Sequence, residues 1–163
     1  GYGFPAALGA KLGNPDADVF AVSGDGGMQM NIQEFATAVC LELPLTLVVF
    51  NNGYLGNVRQ WQQLFYNKRY SSTCLRCRRS CAKNCADPTK ECPPYTPDFV
   101  KLAESYGAYA MRIFDEADIE KAFRFAQEHK DAPTLLEFII EDELNVSPMV
   151  PTGNSLSDMI MDC

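Results

Sequence analysis

"VFAVSGDGGMQMN", residues 19 to 31, joins an apolar run to an acid that lies among three glycines. A second apolar run, "LTLVVFNN" at 45 to 52, ends in two asparagines. Both runs are apolar at successive positions, which is typical of strands buried on both faces of a parallel sheet. Apolar residues at helical spacing lie between them and Pro44 closes the segment, so the pattern predicts a strand, helix, strand unit whose helix begins around Asn31. The helical set is Ile32, Phe35, Ala36, Val39, Cys40 and Leu43.

The same alternation of strands and helices returns later in the chain. After a stretch predicted to be irregular, residues 99 to 106 predict a helix behind Pro97, and Gly107 is placed to end it. "AYAMRIF" (108–114) predicts a third strand. Asp115 is placed to cap a further helix, and "TLLEFII" (134–140) predicts a fourth strand. This order is typical of a doubly wound α/β domain, a mostly parallel sheet with helices on both faces.

Composition narrows the classes of function that the chain can have. Its 163 residues are 47% hydrophobic and 21% charged, which fits one globular domain with a real core. The net charge is −7 and the only concentrated basic stretch is "RCRR" (76–79), so we expect no nucleic-acid partner. No apolar run reaches the roughly 20 residues of a membrane span, and the first residues lack a signal-peptide pattern. We expect a soluble, cytoplasmic protein without a membrane partner, and a chain that is one piece of a longer polypeptide.

The acid and the asparagines are expected to meet at one edge of the sheet. In a right-handed crossover, both parallel strands end at the edge where open α/β sheets bind ligands. Asp25 and the pair Asn51 and Asn52 would therefore face one crevice. A carboxylate and a carboxamide are hard oxygen ligands of the kind that hold Mg²⁺ together with water and phosphate groups. The glycines would let a diphosphate approach backbone N–H groups near the start of the helix, whereas in the alternative interpretation Asp25 only caps that helix.

These motifs and their flanks resemble a known family. "GDG" followed by "NN" resembles the thiamine diphosphate motif. The flanks "GYGFPAALGAKLGNPD" (1–16), "NNGYLGNVRQWQQLFY" (51–66) and "NVSPMVPTG" (145–153) are similar to the C-terminal cofactor-binding domain of acetolactate synthase large subunits. The resemblance covers nearly the whole chain except residues 73 to about 95. It implies that residues 1–163 form one thiamine diphosphate-binding domain, the C-terminal fragment of a longer chain, with a cysteine-rich insertion at about 73–95.

The resemblance also implies roles for individual residues. Asp25 and Asn52 would bind Mg²⁺ through side-chain oxygens, and Tyr54 would add its backbone carbonyl. Trp61 would line the substrate entrance and favour 2-oxobutanoate as the second substrate. Asn57, where family members commonly carry Met, would lie next to the reacting centre and bears on substrate preference. The other cofactor-binding residues would be Gly24, Gly26, Gly27, Leu55 and Gly56.

The implied reaction condenses two pyruvates, or pyruvate and 2-oxobutanoate, to a 2-aceto-2-hydroxy acid with loss of CO₂ in branched-chain amino-acid biosynthesis. The glutamate that activates the cofactor belongs to a different domain, so no catalytic residue is expected in this fragment and the fragment alone is expected to be inactive. The family further implies FAD in the full-length enzyme, a homodimer or homotetramer with active sites shared between subunits, and a small regulatory subunit. The alternatives are another thiamine diphosphate-dependent 2-oxo acid decarboxylase, oxidase or carboligase, and a metal or redox-sensing module built on the insertion.

The insertion, "CLRCRRSCAKNCADPTKEC" (74–92), is dense in cysteine. A C-x₂-C pair followed by two x₃ gaps is compact enough to wrap one metal, either zinc or an iron–sulfur cluster, and the neighbouring basic residues favour thiolates. A redox-sensing or disulfide-forming loop and an unliganded reduced loop are the open alternatives. Outside the insertion, Cys40 is expected in the core of its helix and Cys163 as a free terminal thiol. The candidate ligands are Cys74, Cys77, Cys81, Cys85 and Cys92.

Overall fold

The centre of the domain is a parallel sheet. We describe residues 1–76, 97–142 and 144–161 of a computed structural model. Their strands are β1 (Val19–Gly24), β2 (Leu45–Asn51), β3 (Tyr109–Ile113) and β4 (Thr134–Ile139). The strands pair in the order β1-β2-β4-β3, every pairing is parallel, and the register sets Gly24 beside Phe50 and Asn51 beside Ile139. The carboxyl ends of β1, β2 and β4 therefore share one edge of the sheet.

Helices cover both faces of this sheet. They are α1 (Gly3–Gly13), α2 (Asp25–Gln29), α3 (Glu34–Cys40), α4 (Gly56–Phe65), α5 (Phe99–Ser105) and α6 (Ile119–Glu128), and 3₁₀ turns lie at Glu116–Asp118 and Leu156–Asp158. The helices α1, α3 and α5 contribute to the core on one face, and α6 contributes to the core on the other face. This arrangement confirms the predicted doubly wound α/β fold. None of the helices in the described residues has the length and apolarity that a membrane span requires.

Strand β2 explains how a continuous apolar run serves both cores. Leu47 and Val49 belong to the larger core with the fully buried Phe35 and Phe99, whereas Val48 belongs to the opposite core. Successive side chains of a strand point to opposite faces, so a strand covered on both faces carries apolar residues at successive positions. Each fully buried side chain of this size stabilises the fold by roughly 1.5–3 kcal/mol.

Strand β1 does not follow the same rule, and its predicted burial on both faces is wrong. Ala21 is buried, but Phe20 and Val22 are 47% and 63% exposed. The physical reason is the position of β1 at the edge of the sheet, because α6 packs on β3 and β4 at the far side of that face. The Phe20 ring lies beside the ring of Phe123 on α6, with 6.0 Å between the ring centroids.

The connection between β1 and β2 also differs from the sequence prediction. A short helix, α2, begins at Asp25 immediately after β1, and a separate helix, α3, begins only at Glu34. The break leaves Phe35 and Ala38 as the buried residues of α3. Cys40 is therefore exposed at the last position of α3, and the expectation of a core cysteine was wrong.

The predicted helix boundaries in the second half of the chain are confirmed. The Asp98 carboxylate caps α5 by accepting from the backbone N–H of Lys101 at 3.3 Å. Gly107, which has φ +91°, follows α5 and donates its N–H to the carbonyl of Glu104. Asp115 accepts from the N–H of Ala117 at 2.9 Å and starts the turn that leads into α6. Polar caps and a left-handed glycine thus define these ends, as expected.

Candidate functional site

The carboxyl edge of the sheet brings Asp25 into contact with the turn that follows β2. Asp25 is 3% exposed. Its Oδ1 accepts the N–H of Gly26 and its Oδ2 accepts the N–H of Gly53, both at 2.8 Å. The second bond joins the turn after β1 to the turn after β2. The predicted meeting of the acid with the asparagine turn in one crevice is therefore observed.

Burial makes the charged form of this carboxylate costly. Desolvation raises the pKa of Asp25 above its ordinary value, and the N–H groups of Gly26 and Gly53 and the Arg76 guanidinium lower it only in part. A buried anion of this kind is stabilised by a bound cation, because the cation replaces the lost hydration of the anion. The turn therefore has an electrostatic reason to hold a metal ion.

Asn52 and Tyr54 line the same cleft as Asp25. The Oδ1 of Asn52 accepts the N–H of Tyr54 at 3.0 Å, which closes the turn. A cleft of about 310 Å³ is lined by Asp25, Asn52, Tyr54, Gly24 and Gly56, among others. Within the described residues, no group of three or more His, Cys, Asp or Glu side chains can hold a metal. A cation in this cleft would therefore need amide and main-chain oxygens in addition to the carboxylate.

The glycines around Asp25 do not share one physical cause. A Cβ on Gly26 would lie 2.6 Å from Cδ2 of Leu55, so a larger residue at this position would displace the end of the Leu55 side chain. A Cβ on Gly27 would lie 3.0 Å from the Ser23 Oγ. A Cβ on Gly24 would meet nothing closer than the Phe50 carbonyl at 4.0 Å. Only Gly24 thus has the open surroundings that fit the predicted approach of a ligand. The predicted helix start around Asn31 was wrong, since the helix at this edge begins at Asp25.

A larger apolar cleft adjoins residues 52–55, the turn between β2 and α4. We name this turn the metal turn, because it carries the candidate metal ligands Asn52 and Tyr54. Helix α4 carries Asn57 and Trp61 one turn apart, and both line a cavity of about 1020 Å³ that Asn52 and Gly56 also reach. Trp61 is 43% exposed, so part of its ring is accessible from the cavity side. We name this cavity the apolar cleft.

The sequence interpretation missed helix α4, because it treated the stretch after the asparagines as irregular. Val58, Trp61 and Phe65 recur at helical spacing within α4 and are the signal that could have identified it.

The segment after β4 forms the opposite wall of the apolar cleft. We name residues 144–152 the C-terminal strap. The buried side chain of Gln60 holds it: Nε2 donates to the Val146 carbonyl at 2.7 Å, and Oε1 accepts the Val146 N–H at 3.1 Å. Two backbone hydrogen bonds between Met149 and Ile160 also tie the strap to the end of the described chain. The strap side chains that line the cleft include Leu144, Val146, Met149, Val150 and Thr152.

A buried polar network supports the metal turn from below. Asn51 Nδ2 donates to Glu137 Oε1 at 2.7 Å, and Asn51 Oδ1 accepts the N–H of Gly53 at 3.0 Å. Arg112 Nε donates to Glu137 Oε2 at 2.7 Å, and Arg112 also pairs with Asp98 at the start of α5. Glu137 is fully buried. The sequence interpretation missed it, although a single acid within the apolar strand "TLLEFII" was a usable signal.

The cysteine predictions fall mostly outside the described residues. Cys74 is partly exposed and forms an isolated antiparallel bridge with Tyr54. Cys77, Cys81, Cys85 and Cys92 lie outside the residues that the structure describes, and so does Cys163. The ligand set of a second metal therefore stays a prediction.

A parallel sheet whose carboxyl edge carries an acid, an amide turn and an adjoining apolar cleft defines an α/β cofactor-binding domain. Residues 1–138 match the family described as "Thiamine pyrophosphate enzyme, C-terminal TPP binding domain". The chain belongs to this family. The sequence resemblance to thiamine diphosphate-binding domains is thereby confirmed.

Among curated proteins, the chain is similar to acetolactate synthase large subunits. The chain is 43% identical over 159 residues to the acetolactate synthase large subunit of Corynebacterium glutamicum. This alignment covers 98% of this chain and 23% of that protein. It is also 36% identical over 161 residues to the acetolactate synthase large subunit of Haemophilus influenzae. This alignment covers 99% of this chain and 25% of the relative. The chain thus spans about a quarter of the length of these relatives.

A solved structure agrees with the fold. The thiamine diphosphate-dependent 4-hydroxybenzoylformate decarboxylase of Rhodococcus jostii superposes with a TM-score of 0.68 at 27% sequence identity. The match covers 88% of this chain and 23% of the decarboxylase chain. This chain is therefore similar in fold to one domain of a larger thiamine diphosphate enzyme.

Proposed function

We propose that the chain is the thiamine diphosphate- and Mg²⁺-binding domain of an acetolactate synthase large subunit and works within a longer polypeptide. The complete enzyme would condense two pyruvates, or pyruvate and 2-oxobutanoate, to a 2-aceto-2-hydroxy acid with loss of CO₂. The observation that carries the proposal is the hydrogen bond from the Gly53 N–H to Asp25, which joins the two halves of the cofactor motif at 2.8 Å. Identity of 36–43% to acetolactate synthase large subunits along nearly the whole chain adds the reaction class.

The donor set at the metal turn fits Mg²⁺. Asp25, Asn52 and the Tyr54 carbonyl would supply hard oxygens, and Mg²⁺ usually takes only a few protein ligands beside phosphate and water. The buried Asp25 carboxylate, with its raised pKa, favours this arrangement, because a divalent cation would offset the cost of its charge. The diphosphate would lie along Gly24, the glycine whose Cβ position is open.

Bound thiamine diphosphate would supply the electron sink that decarboxylation and carbon–carbon bond formation require. The residues of this chain would hold and orient the reacting groups. Leu55, which packs on Gly26, and Gly56, which lies against the Asn52 amide, would fix the walls of the cofactor cleft. Asn57 and Trp61 would face the 2-oxo acid in the apolar cleft. Asn57 is shorter than the Met of typical family members and would leave more room for the second substrate.

Other features of the complete enzyme are proposed from the family resemblance. They are FAD, a homodimer or homotetramer whose neighbouring subunit supplies the activating glutamate, a small regulatory subunit and a cytoplasmic location. A zinc ion or iron–sulfur cluster in the insertion is a separate proposal. Metal analysis of anaerobically purified protein tests it: zinc or iron near one equivalent supports a metal site, and a background level removes it.

Product identity tests the proposed function. The complete polypeptide that carries this chain, given pyruvate, thiamine diphosphate and Mg²⁺, is expected to release acetolactate. Asp25→Ala should abolish this activity and weaken Mg²⁺-dependent cofactor binding by a factor of at least about 100, because it removes the only carboxylate assigned to the metal. Acetolactate formed by Asp25→Ala at the wild-type rate would contradict the assignment of the site.

A second candidate is a 2-oxo acid decarboxylase, favoured by the superposition on the 4-hydroxybenzoylformate decarboxylase. The same assay separates the two candidates. Release of the aldehyde without a condensation product would keep the cofactor site and replace the synthase by a decarboxylase.

A further inference from the structure

The beginning of the insertion lies directly against the metal turn. The N–H of Leu55 donates to the carbonyl of Thr73, and the N–H of Leu75 donates to the carbonyl of Gly53, each at 2.8 Å. Tyr54 and Cys74 face each other in the antiparallel bridge between these bonds. Residues 73–75 thus pair, strand to strand, with the turn that carries the proposed Tyr54 ligand. This pairing involves the start of the segment that the sequence predicts to be an insertion.

The next residue, Arg76, lies on the same turn through its side chain. A Cβ built on Gly53 would be 2.2 Å from Nε, 2.6 Å from Cζ and 2.9 Å from Nη2 of Arg76. Three guanidinium atoms at such distances mean that the planar group lies against the Gly53 backbone. Gly53 also has φ +71°, which side chains rarely adopt, so both the space and the backbone angle require glycine. Arg76 is 8% exposed, so this contact is shielded from water.

Asp142 holds Arg76 in this position. Nη1 and Nη2 of Arg76 each lie 3.0 Å from a different carboxylate oxygen of Asp142. The side chains are only 10% and 24% exposed. A paired, two-bond contact fixes the orientation of the guanidinium plane as well as its distance. Asp142 follows β4 closely, so the ion pair connects the insertion to the segment that enters the C-terminal strap.

We propose that Arg76 is a positioning residue for the metal turn: held by Asp142, it presses on Gly53 and keeps the Asn52 and Tyr54 oxygens in place for Mg²⁺. The inference rests on the proposed function. Gly53 is the point where this effect is transmitted, because its N–H donates to Asp25 and its carbonyl accepts from Leu75. Removing an outer partner of a metal site typically weakens metal binding by about 10 to 100-fold.

The direction in which Mg²⁺ affinity changes when Arg76 is replaced distinguishes a positioning role from a purely electrostatic one. Arg76 is a cation near a cation site, so an electrostatic role alone would make Mg²⁺ bind more tightly once the charge is removed. A positioning role predicts weaker binding. A lysine at this position keeps the charge but lacks the planar group with two parallel donors, so positioning predicts that Arg76→Lys also binds Mg²⁺ more weakly.

The test measures the Mg²⁺ dissociation constant of the complete polypeptide by calorimetric titration in the presence of thiamine diphosphate. Arg76→Gln is expected to raise this constant about tenfold, and Arg76→Lys several-fold. Asp142→Asn should match Arg76→Gln, and the double variant should be no weaker than either single variant, because all three lose the same contact. Arg69→Gln is the matched control, since it removes an exposed arginine from the same stretch and should leave the constant unchanged.

Each outcome decides the inference. A constant within twofold of wild type in Arg76→Gln, or a smaller constant, overturns the positioning role and leaves the proposed function intact. A wild-type protein that binds neither Mg²⁺ nor thiamine diphosphate overturns both. If circular dichroism shows that Arg76→Gln is unfolded, Asp142→Asn decides alone: a roughly tenfold weaker constant supports the inference, and a constant within twofold of wild type overturns it.

Discussion

The metal turn and the apolar cleft share Asn52 and Gly56, yet they are held in opposite ways. At the turn, the Gly53 N–H donates to two buried acceptors, and its carbonyl has a backbone partner. The strap side of the cleft, by contrast, is held to α4 by the Gln60 side chain, and its Leu144 and Val146 side chains are 74% and 73% exposed. Metal ligands need fixed donors, whereas an apolar wall can adapt to the shape of its ligand. One edge of a sheet can therefore combine a turn with many fixed hydrogen bonds and a cleft with an exposed apolar wall.

The largest effect is expected from Gly53→Ala. The added methyl would collide with the Arg76 guanidinium and also strain the backbone at φ +71°. We expect a loss of about 3 to 5 kcal/mol in the free energy of unfolding, measured by urea denaturation. Gly153→Ala is the control, because Gly153 has φ +90° with nothing within 4 Å of its Cβ position. Its loss should be limited to the backbone strain of about 1 kcal/mol, and equal losses in both variants would refute the role of the Arg76 contact.

The next effect tests the polar network below the turn. Glu137→Gln keeps an acceptor for Asn51 but removes the charge that faces Arg112 inside the sheet. We expect a loss of about 2 kcal/mol in the free energy of unfolding. Glu120→Gln, which breaks an exposed pair with Arg124 on α6, should cost less than about 0.5 kcal/mol. A loss as small for Glu137→Gln as for Glu120→Gln would show that the network does not stabilise the turn.

A smaller effect should appear in the strap. Gln60→Ala removes both hydrogen bonds to Val146, and we expect about tenfold faster amide exchange in residues 144–152, measured by mass spectrometry, because one or two net hydrogen bonds are lost. Gln62→Ala is a close control, since Gln62 makes the same pair of bonds to the backbone of Ser71. Its effect should stay near residue 71. Unchanged exchange of the strap in Gln60→Ala would mean that other contacts hold this wall.

The smallest effect is expected from Asn57→Met, which introduces the residue that the family resemblance implies at this position. Asn57 is exposed on the cleft side of α4, so the free energy of unfolding should change by less than about 0.5 kcal/mol. The longer side chain would narrow the cleft, and we expect the preference between pyruvate and 2-oxobutanoate in the complete enzyme to shift by about 2 to 5-fold. Competition between the two substrates measures the shift, and an unchanged ratio would place Asn57 outside the specificity site.

The sequence predicted some features of the fold and the site but not others, and the difference has a physical reason. Strands β1 to β4 and the meeting of Asp25 with the turn at Gly53 follow from hydrophobic runs and from the rule that parallel strands end at one edge. The broken helix between β1 and β2 could not be predicted, because its start at Asp25 depends on contacts across the edge. The role of Arg76 could not be predicted from the sequence either. Its partners Gly53 and Asp142 lie 23 residues before and 66 residues after it in the chain, and only the fold brings them together.

The asparagine pair shows how adjacency along a strand separates two tasks. Asn51 and Asn52 are identical neighbours, but successive side chains of an extended segment point in opposite directions. The Asn51 side chain is therefore buried, whereas Asn52 lines the cleft. Asn51 is 1% exposed, and both ends of its side-chain amide are hydrogen-bonded: Nδ2 donates to Glu137 and Oδ1 accepts from the N–H of Gly53. An aspartate at Asn51 would set a second acid against a buried glutamate, whereas an aspartate at Asn52 would offer another anionic oxygen to a cation. One motif of two identical residues therefore has one position whose chemistry is set by the protein interior and one whose chemistry, on the proposed function, is set by the ligand.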